Sequence, residues 1–167
     1  LEMGAIYTWS GFGRLIERSA LSYDTTQKTD ELTLEKATAY IKDKTPDFLF
    51  IHLDDVDHVG HTSGHKTPAF YEAVSHVDKQ IGQIVQATKD AGIFEDTAFI
   101  VSADHGGIGF GHGGETIDEI EIPFILYGKG FKKGYLIKNQ VYTYDNAATI
   151  AKLLGLKQPY AWIGKPV

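Results

Sequence analysis

Cysteine is absent from this chain, which rules out disulfides and thiolate metal sites and leaves its redox compartment open. No apolar stretch approaches the roughly 20 residues that a bilayer-spanning helix needs, so no membrane segment is expected. Nor is there a block of lysine and arginine. The formal net charge of −6 and the dispersed basic residues argue against binding along a nucleic-acid backbone. Internal repeats and low-complexity tracts are also missing. What remains is 43% hydrophobic and 23% charged over 167 residues, the composition of one globular domain able to bury a single core. The sequence opens Leu1-Glu2-Met3, so the expectation is a piece of a longer protein, with any signal peptide lying before it.

Short apolar runs alternate with helical periodicity. Gly4 to Thr8 reads as a strand, with a short helix from about Arg14 to Ala20 after it and a polar surface loop from Asp24 to Asp30. Leu34, Ala37 and Ile41 recur at helical spacing, which predicts a helix from Leu32 to Lys44, capped by Thr33 or Asp30 and stopped by Pro46. Phe48 to Leu53 is a continuous apolar run, as a buried parallel strand would be, and a polar loop from Asp54 to Thr67 follows. Phe70, Val74, Val77, Ile81, Ile84 and Thr88 form a long helical stripe ending near Gly92. Ala98 to Ser102 is a second buried strand, followed by a polar loop from Ala103 to Thr116. Ile122 to Tyr127 is a third, and Asp145 caps a last helix over Asn146 to Leu154.

Such alternation predicts an α/β fold, a three-layer α/β/α arrangement with a mostly parallel sheet. The strands Phe48–Leu53 and Ala98–Ser102 are expected side by side and parallel, so that the loops after them meet at one sheet edge, where ligands of such sheets bind. Glycine is somewhat enriched at 18 residues against the usual ~7%, and many glycines flank histidines in these two loops.

The first loop contains Asp54-Asp55-Val56-Asp57-His58-Val59-Gly60-His61-Thr62-Ser63-Gly64-His65. The second contains Asp104-His105-Gly106-Gly107-Ile108-Gly109-Phe110-Gly111-His112. Carboxylate and imidazole are the ligands that suit zinc where no thiolate is available, and glycines let the backbone bend tightly around a site. Either loop alone could be an ordinary turn or helix cap. Two such loops, in order and both at strand ends, argue for a shared metal site, which with two ions would suit phosphoryl transfer.

The stretch Asp54 to Gly64 resembles the signature of the alkaline phosphatase superfamily, and Ala103-Asp104-His105-Gly106 is similar to that family's Asp-His-Gly segment. The branch most resembled is that of type I phosphodiesterases and nucleotide pyrophosphatases. Similarity continues through Trp9, the helix with Asp78, and the tail from Tyr144 to Val167, so it covers nearly the whole chain. It implies that residues 1–167 are the C-terminal portion of one alkaline-phosphatase-like catalytic domain, an incomplete part of the full domain. It implies zinc as cofactor, with Asp57, His61 and His112 at one ion and Asp104 and His105 at the other. The activity implied is hydrolysis of phosphate monoesters or diesters, with small-molecule phosphate esters as substrates and a periplasmic or extracellular setting. The family's Thr or Ser nucleophile, and a further Asp ligand, have no counterpart here and are expected before Leu1. By itself the chain is therefore expected to bind one zinc or none and to be inactive.

Other readings stay open. A mutase or sulfatase of the same superfamily would share these ligands, and a non-catalytic metal-binding or interaction domain would need them only for stability. Among the remaining histidines, His52 is expected as a hydrogen-bonded core residue and His76 as a structural or exposed one. His58 and His65 could line a substrate pocket or face solvent. Asp54 and Asp55 could orient a ligand histidine or simply solvate the strand end.

Overall fold

The short apolar segment Met3–Tyr7 forms strand β1, the centre of a parallel sheet in the computed structural model, which describes residues 1–167. Strand order is β2-β1-β3, with β2 at Tyr23–Thr26 and β3 at Phe48–His52. Ile6 pairs with Thr25 on one side and Ile51 on the other. Helix α1, Asp30–Lys44, links β2 to β3 and lays Ala37 and Tyr40 on Ile6, with Tyr23, Leu49 and Ile51 closing the cluster.

The cap of α1 is Thr29, and not Thr33 or Asp30: its hydroxyl accepts from the Leu32 N–H at 3.4 Å. The other end closes on Thr45 in the left-handed region, directly before Pro46. Two sequence expectations fail in this half. Residues from Asp24 onward were expected as a loop and supply β2 instead. This edge strand has no apolar face to announce it, and main-chain pairing to β1 holds its polar, β-branched Thr25 and Thr26. The helix expected from Arg14 to Ala20 is two 3₁₀ turns, Ser10–Arg14 and Arg18–Ala20, too short and too stripe-poor to extend.

After β3 comes α2, Asp55–Ser63, where a polar loop was expected, and then the long helix α3, Pro68–Asp90. Thr67 caps α3 by accepting from the Phe70 N–H at 3.2 Å, and Pro68 pre-sets its first turn. Helix α3 packs along α1 and α2. It is long, but no helix is long and apolar enough to cross a membrane.

Strands β4, Ala98–Ser102, and β5, Phe124–Gly128, form a separate antiparallel pair with Ile100 opposite Leu126. The expectation that Phe48–Leu53 and Ala98–Ser102 share one parallel sheet is thus corrected. An apolar run reports burial and not partner, and β4 makes its ladder with β5 while β1 holds both neighbours of the parallel sheet. Between β4 and β5 lies the one-turn helix α4, Ile117–Ile120, which the sequence reading missed. The last helix, α5, is Asp145–Leu153. Asp145 lies inside its first turn, where its carboxylate accepts from the Tyr142 and Lys165 N–H groups at 2.8 and 2.7 Å and ties down the C-terminal tail.

Candidate metal centre

A polar segment becomes α2 because its first amides have a buried acceptor. The Asp30 carboxylate, fully buried, accepts from the Asp54 and Asp55 N–H groups at 2.8 and 2.9 Å and from the Thr8 hydroxyl at 2.6 Å. This satisfies orphan donors and places negative charge at the helix N-terminus. Asp54 and Asp55 themselves gain nothing from it. Burial pushes both carboxyls above the usual range, with the neighbouring Asp30 charge adding to the effect. Helical spacing then puts Asp57 and His61 on one face. His61 Nε2 is 3.4 Å from Asp57 Oδ2, and its Nδ1 is 2.9 Å from the Phe110 carbonyl oxygen.

The loop after β4 is held from behind by α4. The Gly106 and Gly107 N–H groups donate to the Glu119 and Asp118 carbonyls, both at 2.8 Å. The Glu119 carboxylate accepts from the Gly114 N–H at 2.8 Å and the Thr116 hydroxyl at 2.6 Å, and these bonds hold its pKa low. Lys66, between α2 and α3, pairs with Asp118 at 2.6 Å. Thus pinned, the loop stacks the His105 and His112 rings with centroids 3.6 Å apart and planes 16° from parallel.

Both rings turn Nε2 toward Asp57 Oδ1, at 4.0 Å from His105 and 3.7 Å from His112. His105 Nε2 is also 3.7 Å from Asp104 Oδ2. Of the five residues singled out in the sequence, His61, His105 and His112 turn a ring nitrogen toward the Asp57 carboxylate, whereas Asp104 is exposed and reaches His105 alone. The tightest set of three is Asp57, His105 and His112, with His61 beside it. The geometry makes Asp57 common to both halves of the ligand set and does not divide it into the two groups that the resemblance implies.

These residues fit a metal ion. Asp57 Oδ1 is buried without any hydrogen-bond partner, although three imidazole nitrogens surround its carboxylate. Separations of 3.4 to 4.0 Å are long for hydrogen bonds. Zinc bonds of about 2.0–2.1 Å put tetrahedral ligand atoms about 3.3 Å apart, near the observed spacing. Carbonyl oxygens can only accept, so the Nδ1 atoms of His61 and His105, against Phe110 O at 2.9 Å and Gly106 O at 2.8 Å, carry the ring hydrogens. Their Nε2 lone pairs then face the carboxylate, the tautomer a metal requires.

Other histidines lie elsewhere. His52 is half-buried at the end of β3 against Phe12, and its buried Nδ1 has no hydrogen-bond partner, unlike the bonded core residue expected. His58 is exposed on α2. His76 is half exposed and sits 3.8 Å from Glu31, with Asp55 nearby. The two carboxylates of that outlying trio have a reason to be there without an ion, since Glu31 and Asp55 occupy first turns of helices, where negative charge is favoured. His65 is neither exposed nor a ligand but wedged between the two loops. The Phe110 carbonyl and Glu119 support the loops of the centre and were missed. Only the Thr116-x-x-Glu119 spacing, that of a capping box, could have signalled one of them.

A model of the type I phosphodiesterase / nucleotide pyrophosphatase family matches residues 9–118. GPI ethanolamine phosphate transferase 3 of Schizosaccharomyces pombe is 35% identical over 133 residues, 75% of this chain but 14% of that protein. The 2,3-bisphosphoglycerate-independent phosphoglycerate mutase of Rhodopseudomonas palustris is 34% identical over 139 residues, 78% of this chain and 25% of the mutase. Among solved structures, a Bacteroides thetaiotaomicron protein taken to be a sulfatase aligns with a TM-score of 0.65 at 16% identity, covering 80% of this chain and 43% of its own. An inactive murine ectonucleotide pyrophosphatase / phosphodiesterase 5 in complex with AMP aligns at 0.51 and 24% identity, covering 63% and 29%. These structural likenesses bear on fold alone, and the α/β fold expected from the sequence is the one they share. The chain spans a quarter or less of the length of these curated relatives and under half of these solved structures.

Proposed function

The chain belongs to the type I phosphodiesterase / nucleotide pyrophosphatase family, and from that premise we propose that it carries the metal-ligand part of a site that cleaves phosphate esters. One observation supports this most: a buried carboxylate oxygen of Asp57 without a hydrogen-bond partner, faced by the Nε2 atoms of His105 and His112 with His61 alongside. Zinc is the ion that this oxygen-and-imidazole set suits best, and when bound it supplies Lewis-acid polarisation of a phosphoryl oxygen. The chain's own residues do the positioning. The Phe110 and Gly106 carbonyls orient His61 and His105, and α4 holds the loop that carries His105 and His112.

The substrate class proposed is a small phosphate ester, monoester or diester. A second reading has specific support, because two relatives similar to this chain are, by name, an ethanolamine phosphate transferase and a phosphoglycerate mutase, enzymes of group transfer and not of hydrolysis. Hydrolysis and transfer need the same ligand set and differ in the acceptor.

Zinc titration by calorimetry tests the site. The 167-residue chain is expected to bind zinc, His112→Ala to bind it at least ~10-fold more weakly, and His76→Ala to match the parent. Equal binding by His112→Ala would remove His112 from the ligand set. Turnover of nitrophenyl phosphate and bis-nitrophenyl phosphate is expected to be negligible in the chain alone, because no Ser or Thr is placed as a nucleophile at its helix starts in the family's manner. Brisk zinc-dependent turnover would overturn that part of the reading.

A further inference from the structure

His65 stands where α2 ends and does not touch Asp57, yet it occupies the seam between the two halves of the centre. Its backbone N–H donates to the Gly109 carbonyl at 2.7 Å, and its ring Nδ1 lies 3.1 Å from the same oxygen. One residue on, the Phe110 carbonyl holds His61. Two consecutive carbonyls of one tight turn, closed by the reciprocal bonds of Ile108 and Gly111, thus receive two histidines that come from α2 and its end.

The ring itself is clamped between backbones. A Cβ on Gly60, in α2, would lie 2.5 Å from His65 Nε2, and a Cβ on Gly107, in the other loop, would run into the same ring. Both glycines are buried. Phe70 of α3 covers a further side, with centroids 5.2 Å apart. The imidazole is therefore a spacer whose thickness sets how closely α2, with Asp57 and His61, approaches the loop with His105 and His112.

We propose that His65 is a positioning residue: clamped between Gly60 and Gly107 and bonded to the Gly109 carbonyl, it sets the distance between the two ligand-bearing segments. It acts through the ligands and contributes none itself. The proposal rests on the metal-centre reading for its functional meaning, but the spacing it asserts belongs to the metal-free chain and can be measured there.

The experiment compares the 167-residue chain with His65→Ala, His65→Asn, Gly107→Ala and the double variant His65→Ala/Gly107→Ala. In the metal-free chain, ring-to-ring NOEs between His61 and His112, whose centroids are 5.0 Å apart, report the spacing. They are expected in the parent, lost in His65→Ala and in Gly107→Ala, and restored by His65→Asn, whose amide keeps a donor near the Nδ1 position. Cobalt(II) serves as the metal probe. His65→Ala and Gly107→Ala are each expected to bind it about 10- to 100-fold more weakly, with weaker visible bands as the tetrahedral field relaxes. Adding Gly107→Ala to His65→Ala is expected to cost no further affinity, since the methyl then enters the space the ring has left. Should His65→Ala fail to fold, Gly107→Ala, which keeps the ring but displaces it, carries the same test. Parent-like NOEs in a folded His65→Ala or Gly107→Ala would overturn the proposal. A parent chain that binds no cobalt while its NOEs respond as described would overturn the metal-centre reading and leave the spacer standing.

Discussion

His52 closes β3 with its ring 4.6 Å from that of Phe12, and its buried Nδ1 has no partner. Burial pulls its pKa below the ordinary value, against the opposing pull of Asp54 and other carboxylates. The folded chain therefore keeps the ring neutral at a pH where the unfolded chain, near the usual value of about 6.5, has already taken up a proton. Stability from this residue is present above about pH 6.5 and is lost as pH falls from there through the lower folded value. Asp54 and Asp55 act in the opposite sense. Their raised folded pKa values mean that their contribution is present at acid pH and lost as pH rises from near 4 through the folded values. Urea unfolding of the metal-free chain and of His52→Leu, at about pH 7.5 and about pH 5, isolates the imidazole. The parent is expected to lose more stability than the variant on acidification. Equal losses would show that His52 is not the linked group.

Among the elements, α2 depends most on something outside itself. It begins in a cluster of acidic residues, and its first amides are satisfied by Asp30, a buried carboxylate on α1 that also takes the Thr8 hydroxyl. Removing it leaves the two amides without an acceptor, while the Thr8 hydroxyl can still turn to the Thr33 hydroxyl at 2.9 Å. Asp30→Ala is expected to destabilise the chain by about 3 kcal/mol, the range for losing charge-assisted bonds at a buried site. Asp30→Asn, which retains one acceptor but adds an unwanted donor, should fall between. Chemical denaturation measures both. A loss below about 1 kcal/mol for Asp30→Ala would mean that α2 holds its start without this carboxylate. Because Asp57 sits in the first turn of α2, weakened zinc binding should accompany the loss.

The whole molecule is open for its mass. A compact monomer of 18.4 kDa exposes about 8,200 Å², whereas this chain exposes 10851 Å². The surplus includes Leu136, Tyr160 and Ile163 in the C-terminal third and Ile125 and Tyr127 on β5. Apolar surface of that extent is the kind that other surfaces cover. The isolated chain is expected to bind the dye ANS in its native state and to self-associate with rising concentration in sedimentation velocity. A chain that stays monomeric and does not bind the dye would show that this surface is closed in solution.

Local rules determined much of this protein. Continuous apolar runs marked β1, β3, β4 and β5, and helical stripes marked α1 and α3 within a few residues, because burial and period are written directly into residue order. Residue order also marked Asp57, His61, His105 and His112 as candidates, and folding brings their side chains together. Tertiary structure decided what residue order cannot carry. Strand β2 exists because β1 offers a free edge, and β4 pairs with β5 because a hydrophobic run does not name its partner. The polar stretch after β3 is a helix because Asp30, 24 residues before Asp54, supplies the acceptor for its first turn. His65 could not be told from a loop histidine by sequence. Its place is set by two glycines from different segments, and only folding brings Gly60 and Gly107 to either side of one ring.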